Sequence, residues 1–434
     1  MVGDEWVPGD SLGLEIPAHA AALRAGGEAF LTEAFRASGA LGRDNRVIRI
    51  TQFEDCPGGS TGRKLFLSVA YEKPAPGLHA DLFVKFSRDF DDAIRDRAKN
   101  QLEAEVRLAL LSRTPGFPIA VPTCAFADYH QASGSGLLIT QRIGYGRDGI
   151  EPPYGKCLDD QMPAPLEHYQ ALIRAQARLA GTHKAGGLGD VARQFPFDAE
   201  AAIASDRIRY SEQQLQRRVD KYAGFAAQYP QLLPPHIADP NFIAQLARDI
   251  PRYLAQETAI RRYLHSHPDF IALCHWNANV DNAWFWRNAR GELECGLMDW
   301  GRVGQMSIPL ALWGGLSAAE IELWDHDLAG LLALFNREFQ RSGGPVLEPE
   351  ELKFQLLLFV ALMGLAWLMD APALVLAQFP DLSTIRDRHD PRFSDNETAR
   401  VQLHMLSLVL HLWQTEDFGR LLDRFVREKA ISHG

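Results

Sequence analysis

The strongest functional pattern of the chain lies between residues 271 and 301. It reads Ile271-Ala-Leu-Cys-His275-Trp-Asn277-Ala-Asn279-Val-Asp281-Asn282-Ala-Trp-Phe-Trp-Arg287-Asn-Ala-Arg-Gly291-Glu-Leu-Glu-Cys-Gly-Leu-Met-Asp299-Trp-Gly301. An apolar run enters a loop rich in His and Asn, an aromatic strand leaves this loop, and a turn ending at Gly291 leads to a second apolar strand. The pattern predicts two short neighbouring strands that hold the polar loop and Asp299 side by side.

Asn282 and Asp299 carry the chemistry expected of a metal site in this stretch. Amide and carboxylate oxygens are hard ligands, suited to Mg²⁺ that keeps part of its water and bridges nucleotide phosphates. The sequence therefore predicts that these two residues bind magnesium.

The stretch resembles the catalytic segment of the aminoglycoside phosphotransferase and choline kinase-like families, which share the protein-kinase fold. Their catalytic loop reads His-x-Asp-x-x-x-x-Asn, followed further along by a metal-binding Asp, and His275, Asn282 and Asp299 match those positions. The resemblance implies a two-lobed, kinase-like α+β fold, with a small antiparallel-sheet N-lobe and a large, mostly helical C-lobe. It also implies ATP and Mg²⁺ as cofactors and phosphate transfer to a hydroxyl of a small molecule.

The chain departs from that family pattern at the catalytic residue. Asn277 stands where the family has its catalytic Asp, and an amide accepts a hydrogen bond from a hydroxyl but does not take up its proton near neutral pH. Asp281, four residues later, is either a replacement base or a loop-capping carboxylate. The position of a second family Asp, which supports the loop, is taken by Leu312. Two functions therefore remain open at this point, an active phosphotransferase and a nucleotide-binding pseudokinase that senses or scaffolds.

Composition excludes several other classes of protein. A formal net charge of −10 disfavours a nucleic-acid partner, because phosphate backbones are bound by clustered Lys and Arg. Five cysteines without CxxC spacing indicate neither a zinc site nor a disulfide framework, and unpaired thiols are typical of a reducing cytosol. The N-terminus lacks the features of a signal peptide, so we expect a cytoplasmic protein.

One apolar run needs a separate interpretation. Residues 356–369 form a 14-residue apolar run, which is shorter than the ~20 residues needed to span a bilayer. We therefore expect a buried core helix and no membrane segment. The sequence leaves the oligomeric state open.

The spacing of apolar residues divides the chain into three predicted regions. Residues 1–45 are an N-terminal extension with a helix near 18–38. Residues 46–143 form the nucleotide-binding N-lobe, in which period-two segments at 47–51, 64–71 and 80–86 predict a strand meander, and two later segments complete a five-stranded sheet. Residues 144–434 form the helical C-lobe, which carries the catalytic loop and the metal site.

Lys85 is the candidate phosphate ligand of the N-lobe. It lies near the end of an apolar strand, where a lone ammonium is costly unless phosphate and a carboxylate pair with it. The helix expected at 95–112 offers two glutamates, and the family pattern favours Glu105 over Glu103 as the partner of Lys85. A solvated position for both glutamates is the alternative.

Two further segments complete the predicted nucleotide site. The glycine-rich turn containing Gly58, Gly59 and Ser60 either covers the phosphates or is an ordinary hairpin loop. By resemblance to the families, the segment 140–146, with Thr140 and Arg142, is expected to bind the adenine.

Overall fold

The computed structural model describes residues 5–58, 61–379 and 381–432, and this part contains eleven strands and fifteen α-helices. The strands are β1 (Trp6–Pro8), β2 (Glu15–Pro17), β3 (Val47–Asp55), β4 (Lys64–Tyr71), β5 (Asp81–Phe86), β6 (Cys124–His130), β7 (Ser135–Gln141), β8 (Ile271–Cys274), β9 (Ala283–Arg287), β10 (Leu293–Leu297) and β11 (Gly304–Ser307). The helices are α1 (Ala20–Ala37), α2 (Ala93–Asp96), α3 (Gln101–Leu111), α4 (Pro165–Lys184), α5 (Val191–Gln194), α6 (Ala199–Ala204), α7 (Glu212–Gln228), α8 (Pro240–Leu264), α9 (Ile308–Leu316), α10 (Ile321–Arg341), α11 (Pro349–Met363), α12 (Ala371–Gln378), α13 (Pro391–Ser394), α14 (Glu397–Thr415) and α15 (Phe418–Ser432).

These elements group into two units by their contacts. The first unit contains the described part of Met1–Pro152 together with Leu188–Phe195 and Asn282–Gly304, and the second contains Pro153–Gly187, Pro196–Asp281 and the described part of Gln305–Gly434. Sheet dominates the first unit and helix the second, which is the predicted α+β class. The domain boundaries expected from the sequence stay predictions.

A five-stranded antiparallel sheet forms the centre of the first unit. Its strand order is β3-β4-β5-β7-β6, so β3, β4 and β5 form the predicted meander and the last two strands complete the sheet. The pairs Leu65↔Val84 and Val84↔Ile139 fix the register across its three middle strands.

The two faces of this sheet have different compositions, because side chains alternate along each strand. Leu65, Leu67 and Val84 point into a core that also contains Phe30 and Phe35 of α1. The predicted N-terminal helix therefore covers this face of the sheet. The opposite face carries Lys64 and Phe66 of β4 together with Phe83 and Lys85 of β5.

A short N-terminal hairpin, which the sequence analysis missed, is joined to the same sheet. Strands β1 and β2 pair with each other, and the amides of Ser11 and Leu12 both donate to the buried carboxylate of Asp128 on β6 at 2.9 Å. At Gly9 an added Cβ would lie 2.3 Å from Asp128 Oδ2, so only glycine permits this close approach.

The predicted helix at 95–112 is divided in two, which corrects the sequence-based expectation. Helix α2 ends at Asp96 and α3 begins at Gln101. In between, Ala98 N–H donates to Arg95 O and Gln101 N–H to Ala98 O. These three-residue spacings are those of a tight turn rather than an α-helix.

The second unit is a packed set of helices with a two-stranded sheet of β8 and β11. Helix α4, predicted at 166–184, packs against α10, and α11 packs against α8 and α9. By length and composition one helical stretch, Pro349–Leu368, is able to cross a membrane, and 78% of its most apolar window is buried inside the protein. This is the helix that the sequence predicted as a core element, and it continues from α11 into a π-helical turn at Gly364–Leu368.

The polar segment 381–396 after α12 is mostly exposed but is anchored by a few buried residues. Leu382 and Ile385 are buried, and Arg388 donates to Glu320 at 3.1 Å. Contacts within the second unit thus hold this segment in place.

We expect the core between α1 and the sheet to be essential for the stability of the first unit. Phe35 is 1% exposed, whereas Ile48 on β3 is 52% exposed. Replacing a buried Phe by Ala costs ~3–5 kcal/mol, so Phe35→Ala should lower the free energy of unfolding by about that amount in urea titrations. Ile48→Ala is the control, with an expected change below ~1 kcal/mol; equal effects of the two variants would contradict this packing.

Candidate functional site

A cavity of about 560 Å³ opens on the face of the sheet opposite α1, and all the residues that line it belong to the first unit. Strands β4, β5 and β7 form one wall, α3 and the segment after β10 form another, and residues 141–147 close one end. The lining includes six of the predicted site residues: Lys85, Glu105, Thr140, Arg142, Asn282 and Asp299.

An ion triad lies at one end of the cavity. Lys85 Nζ donates to Glu105 Oε1 at 2.7 Å and to Asp299 Oδ1 at 2.8 Å. The side chains of Lys85 and Glu105 are 12% and 9% exposed, whereas that of Asp299 is 52% exposed. The partner of Lys85 on α3 is therefore Glu105, while Glu103 pairs with Arg107 one turn along the helix.

The triad determines the protonation of Lys85. Burial acts against its charge, but the carboxylates of Glu105 and Asp299 outweigh burial and raise the pKa of the ammonium above its ordinary value. Lys85 thus stays a cation at every physiological pH. Glu105 Oε1 also accepts the main-chain N–H of Trp300 at 3.3 Å, so the glutamate connects α3 both to β5 and to the segment that carries Asp299.

Asn282 and Asp299 lie together at the open end of the β9–β10 hairpin. Ala283 is paired with Leu297, and just beyond this pair Met298 N–H donates to Asn282 O at 2.9 Å. Asp299 has a φ of 61°, in the left-handed region that Asp adopts more readily than most residues. The predicted neighbouring strands are confirmed.

The residues present fit a magnesium ion that keeps other ligands. Among the described residues there is no group of three or more His, Cys, Asp or Glu able to enclose a metal. One amide and one carboxylate lining the same cavity match Mg²⁺, which binds through one or two protein oxygens plus water and phosphate. Their role as metal ligands stays a prediction.

A polar network closes the end of the cavity opposite the triad. Arg142 forms an ion pair with Asp81 at 3.0 Å and donates to Gln52 at 2.9 Å. Its guanidinium lies 5.2 Å from the centre of the Phe66 ring. Thr140 is paired with Phe83 across β5 and β7. Binding of a nucleotide by Thr140 and Arg142 stays a prediction, and the contacts of Arg142 show that it also fixes this end of the sheet.

Of the three candidate residues in the glycine-rich turn, the structure describes only Gly58. Gly59 and Ser60 lie outside the described residues. Gly58 has a φ of 92°, which suits glycine in a turn, and it is not among the residues that line the cavity. Phosphate binding by this turn stays a prediction.

The three candidate catalytic residues His275, Asn277 and Asp281 belong to the second unit. His275 is 1% exposed, and its Nδ1 accepts the main-chain N–H of Asn277 at 3.0 Å. Asn277 Oδ1 accepts hydrogen bonds from Asn279 Nδ2 at 2.6 Å and from Lys156 Nζ at 3.3 Å. His275 therefore shapes the loop, and the carbonyl oxygen of Asn277 is oriented toward two donors.

Contacts with α9 support this loop. Asn279 is fully buried, and its Nδ2 also donates to Gly314 O at 2.7 Å. A Cβ added at Gly314 would lie 1.7 Å from Trp276 O, so only glycine lets the helix approach the loop this closely. Leu312 of the same helix is buried.

Sequence reasoning missed two cations near the candidate residues. Lys64 lines the cavity, and the period-two pattern could have placed it on the same face of β4 as Phe66. Lys156 is far from Asn277 in the sequence, and no local pattern indicates their contact.

Comparisons with known proteins give structural similarity at low sequence identity. No family model matches the chain, and no curated protein matches it. A choline/ethanolamine kinase family protein from Mesorhizobium loti is 16% identical, with 91% of this chain and 98% of that chain covered and a TM-score of 0.40. An ethanolamine kinase from Plasmodium vivax is 12% identical, with 82% and 81% covered and a TM-score of 0.41. The GDP complex of an aminoglycoside 2'-phosphotransferase-IIIa mutant is 14% identical, with 86% and 95% covered and a TM-score of 0.37.

These structures belong to the two groups that residues 275–301 resemble. At this level of similarity the contacts of the chain's own residues carry the functional assignment.

We expect the ion triad to stabilise the fold in addition to any role in binding. Lys85→Met leaves the buried carboxylate of Glu105 without its cation, and breaking a buried pair costs ~3–5 kcal/mol. We expect urea titrations to show a loss of that order. Adding Glu105→Gln to Lys85→Met should recover more than half of it, because the neutral amide still accepts the Trp300 N–H.

The exposed pair of Arg46 and Glu72, whose side chains are 60% and 43% exposed, provides the control. Arg46→Met should change the free energy of unfolding by less than ~1 kcal/mol. A Lys85→Met protein as stable as the wild type would contradict the structural role of the triad.

Proposed function

We propose that the chain is a phosphotransferase that binds ATP with Mg²⁺ in the cavity of the first unit and transfers the γ-phosphoryl group to a hydroxyl of a small molecule. The observation that carries this proposal is Lys85, a buried cation held between Glu105 and Asp299 on the wall of a ligand-sized cavity. A cation positioned by a helix glutamate beside a candidate metal carboxylate is the arrangement that neutralises phosphate charge in phosphoryl transfer.

The order of charged and aromatic side chains along the cavity supports a nucleotide as the ligand. Phe83 lies two residues before Lys85 on the same face of β5, ~7 Å away at 3.2–3.4 Å per residue. Phe66 and Phe83 are in contact, with ring centroids 6.0 Å apart. A cationic end next to an aromatic middle suits a phosphate chain joined to a flat ring, and the volume lies within the range of ligand pockets, ~300–1,000 Å³.

Within this proposal each residue has one role. Lys85 would contact the phosphates, and Glu105 would hold Lys85 in position. Asn282 and Asp299 would hold Mg²⁺, which would supply charge neutralisation at the phosphates. Thr140 and the main chain that follows would lie beside the base.

Two candidate catalytic residues, Asn277 and Asp281, are left to be assigned. Asn277 can position a hydroxyl but cannot remove its proton, so the base role would fall to Asp281. General-base catalysis is worth ~10²–10⁴ in rate. Because phosphoryl transfer depends mainly on positioning and charge neutralisation, this loss does not preclude turnover.

A nucleotide-binding pseudokinase is the second candidate function. It is favoured by the contacts of Asn277, whose carbonyl oxygen already accepts hydrogen bonds from Asn279 and Lys156. A group held in this way is poorly placed to accept a further hydrogen bond from a substrate hydroxyl. ATP binding without transfer would be its signature.

The magnesium assignment predicts a specific loss at Asp299. Asp299→Asn keeps the shape of the side chain but removes its charge, so the gain in ATP affinity that Mg²⁺ provides should fall by ~10-fold or more. Calorimetric titrations with Mg²⁺ and with EDTA measure that gain in each protein.

Asp91→Asn is the matched control, because Asp91 is an exposed carboxylate of the same unit and does not line the cavity. An unchanged magnesium dependence in Asp299→Asn would show that Asp299 is not a metal ligand.

The base assignment separates enzyme from pseudoenzyme. If Asp281 removes the proton, Asp281→Asn should lower turnover by ~10²-fold or more with little effect on ATP binding, and Asn277→Asp should add little. ATP consumption of the wild type and the two variants, measured with a panel of small hydroxyl compounds, gives the comparison.

Each alternative has its own outcome in this experiment. Equal and robust turnover in the wild type and Asp281→Asn would eliminate Asp281 as the base. Phosphate transfer by neither protein to any compound, with ATP binding retained, would establish the pseudokinase.

A further inference from the structure

Lys64 is a cation of the cavity that the proposed function does not use. It is the first residue of β4, and it is paired directly with Lys85 across β4 and β5. Directly paired residues of an antiparallel sheet have Cβ atoms ~5 Å apart. Two ammonium groups thus project from neighbouring positions into the same cavity.

The two lysines differ in their partners. Lys85 is held by two carboxylates, whereas the ammonium of Lys64 has no hydrogen bond or ion pair with any residue that the structure describes. Lys64 is partly buried. Burial, followed by the positive charge of Lys85, lowers the pKa of Lys64 below its ordinary value. The carboxylates of Asp299 and Glu105 act in the opposite direction on the pKa of Lys64. Because like charges placed directly opposite each other destabilise a sheet, an anion between the two ammonium groups would stabilise this pair.

The charge of the triad explains why a second cation is needed. One ammonium against two carboxylates leaves Lys85, Glu105 and Asp299 with one net negative charge. Without a metal ion the triad therefore repels a phosphate chain, and Lys85 is already engaged by both carboxylates. Lys64, in contrast, donates no hydrogen bond to either carboxylate.

We infer that Lys64 is a second phosphate-binding residue of this cavity, and that it contacts the phosphate chain of a nucleoside di- or triphosphate before and independently of the metal. This inference rests on the proposed function for the identity of the ligand, but not for the presence of an anion site. Lys64 would set the preference of the cavity for ligands with several phosphates over nucleosides.

Binding measurements in EDTA with three probes test the inference. The probes are ATP, adenosine and inorganic tripolyphosphate, and the proteins are the wild type, Lys64→Met, Lys64→Arg and Lys73→Met. Lys73 is the matched control, because it is an exposed lysine of the same unit paired with Asp44, and it does not line the cavity.

We expect Lys64→Met to weaken ATP and tripolyphosphate binding by ~10- to 100-fold, the value of a hydrogen bond to a charged group. Adenosine binding should be unchanged. Lys64→Arg should keep most of the affinity, and Lys73→Met all of it. The melting temperature of Lys64→Met should not fall, since no partner among the described residues loses a bond, and this separates lost binding from lost folding.

The outcomes distinguish this inference from the proposed function. Lys64-dependent binding of tripolyphosphate without binding of ATP or adenosine would support the anion site and overturn the nucleotide assignment. ATP binding that is equal in the wild type and Lys64→Met would overturn the inference while leaving the proposed function intact. Failure of the wild type to bind either anion would overturn the inference.

Discussion

A buried ammonium needs a counter-charge, and Lys85 meets this need by joining three distant parts of the chain. Its carboxylate partners come from α3 and from the segment after β10. The cost of leaving such a charge alone in an apolar strand is several kcal/mol. The positions of α3 and of Asp299 relative to the sheet are therefore coupled, and Glu105 strengthens the coupling by also accepting the Trp300 amide.

Lys85 points into the cavity because the opposite face of the sheet is buried against α1. Helix α1 packs Phe30 and Phe35 onto Leu65, Leu67 and Val84, so one side of every middle strand is committed to the core. The alternation of side chains then sends Lys64, Phe66, Phe83 and Lys85 to the opposite side. The N-terminal extension contributes no residue to the lining of the cavity, but by covering one face of the sheet it leaves the opposite face for the cavity and α3.

Local patterns predicted the features of this molecule that depend on short-range order. Period two located the strands of the sheet, and the isolated position of Lys85 in an apolar strand required a carboxylate partner. The choice between Glu103 and Glu105 could not be made from helical spacing, since both lie in the same turn of α3; the structure decides it through the register of three elements. Other contacts join residues far apart in the sequence. These are the hydrogen bond of Lys156 to Asn277 and the hydrogen bonds of the N-terminal hairpin to Asp128, and no short sequence pattern predicts them.

Neutral groups hold the loop of the second unit in place. Asn279 Nδ2 donates to Gly314 O, and the missing side chain of Gly314 allows the close approach to Trp276 O. At position 277 the ammonium of Lys156 likewise donates to a neutral amide oxygen. Under the proposed function the loop would lack a proton acceptor at position 277, a loss worth ~3–5 kcal/mol of barrier. Positioning and charge neutralisation, which dominate phosphoryl transfer, do not depend on that proton acceptor, so this loop is compatible with the proposed reaction.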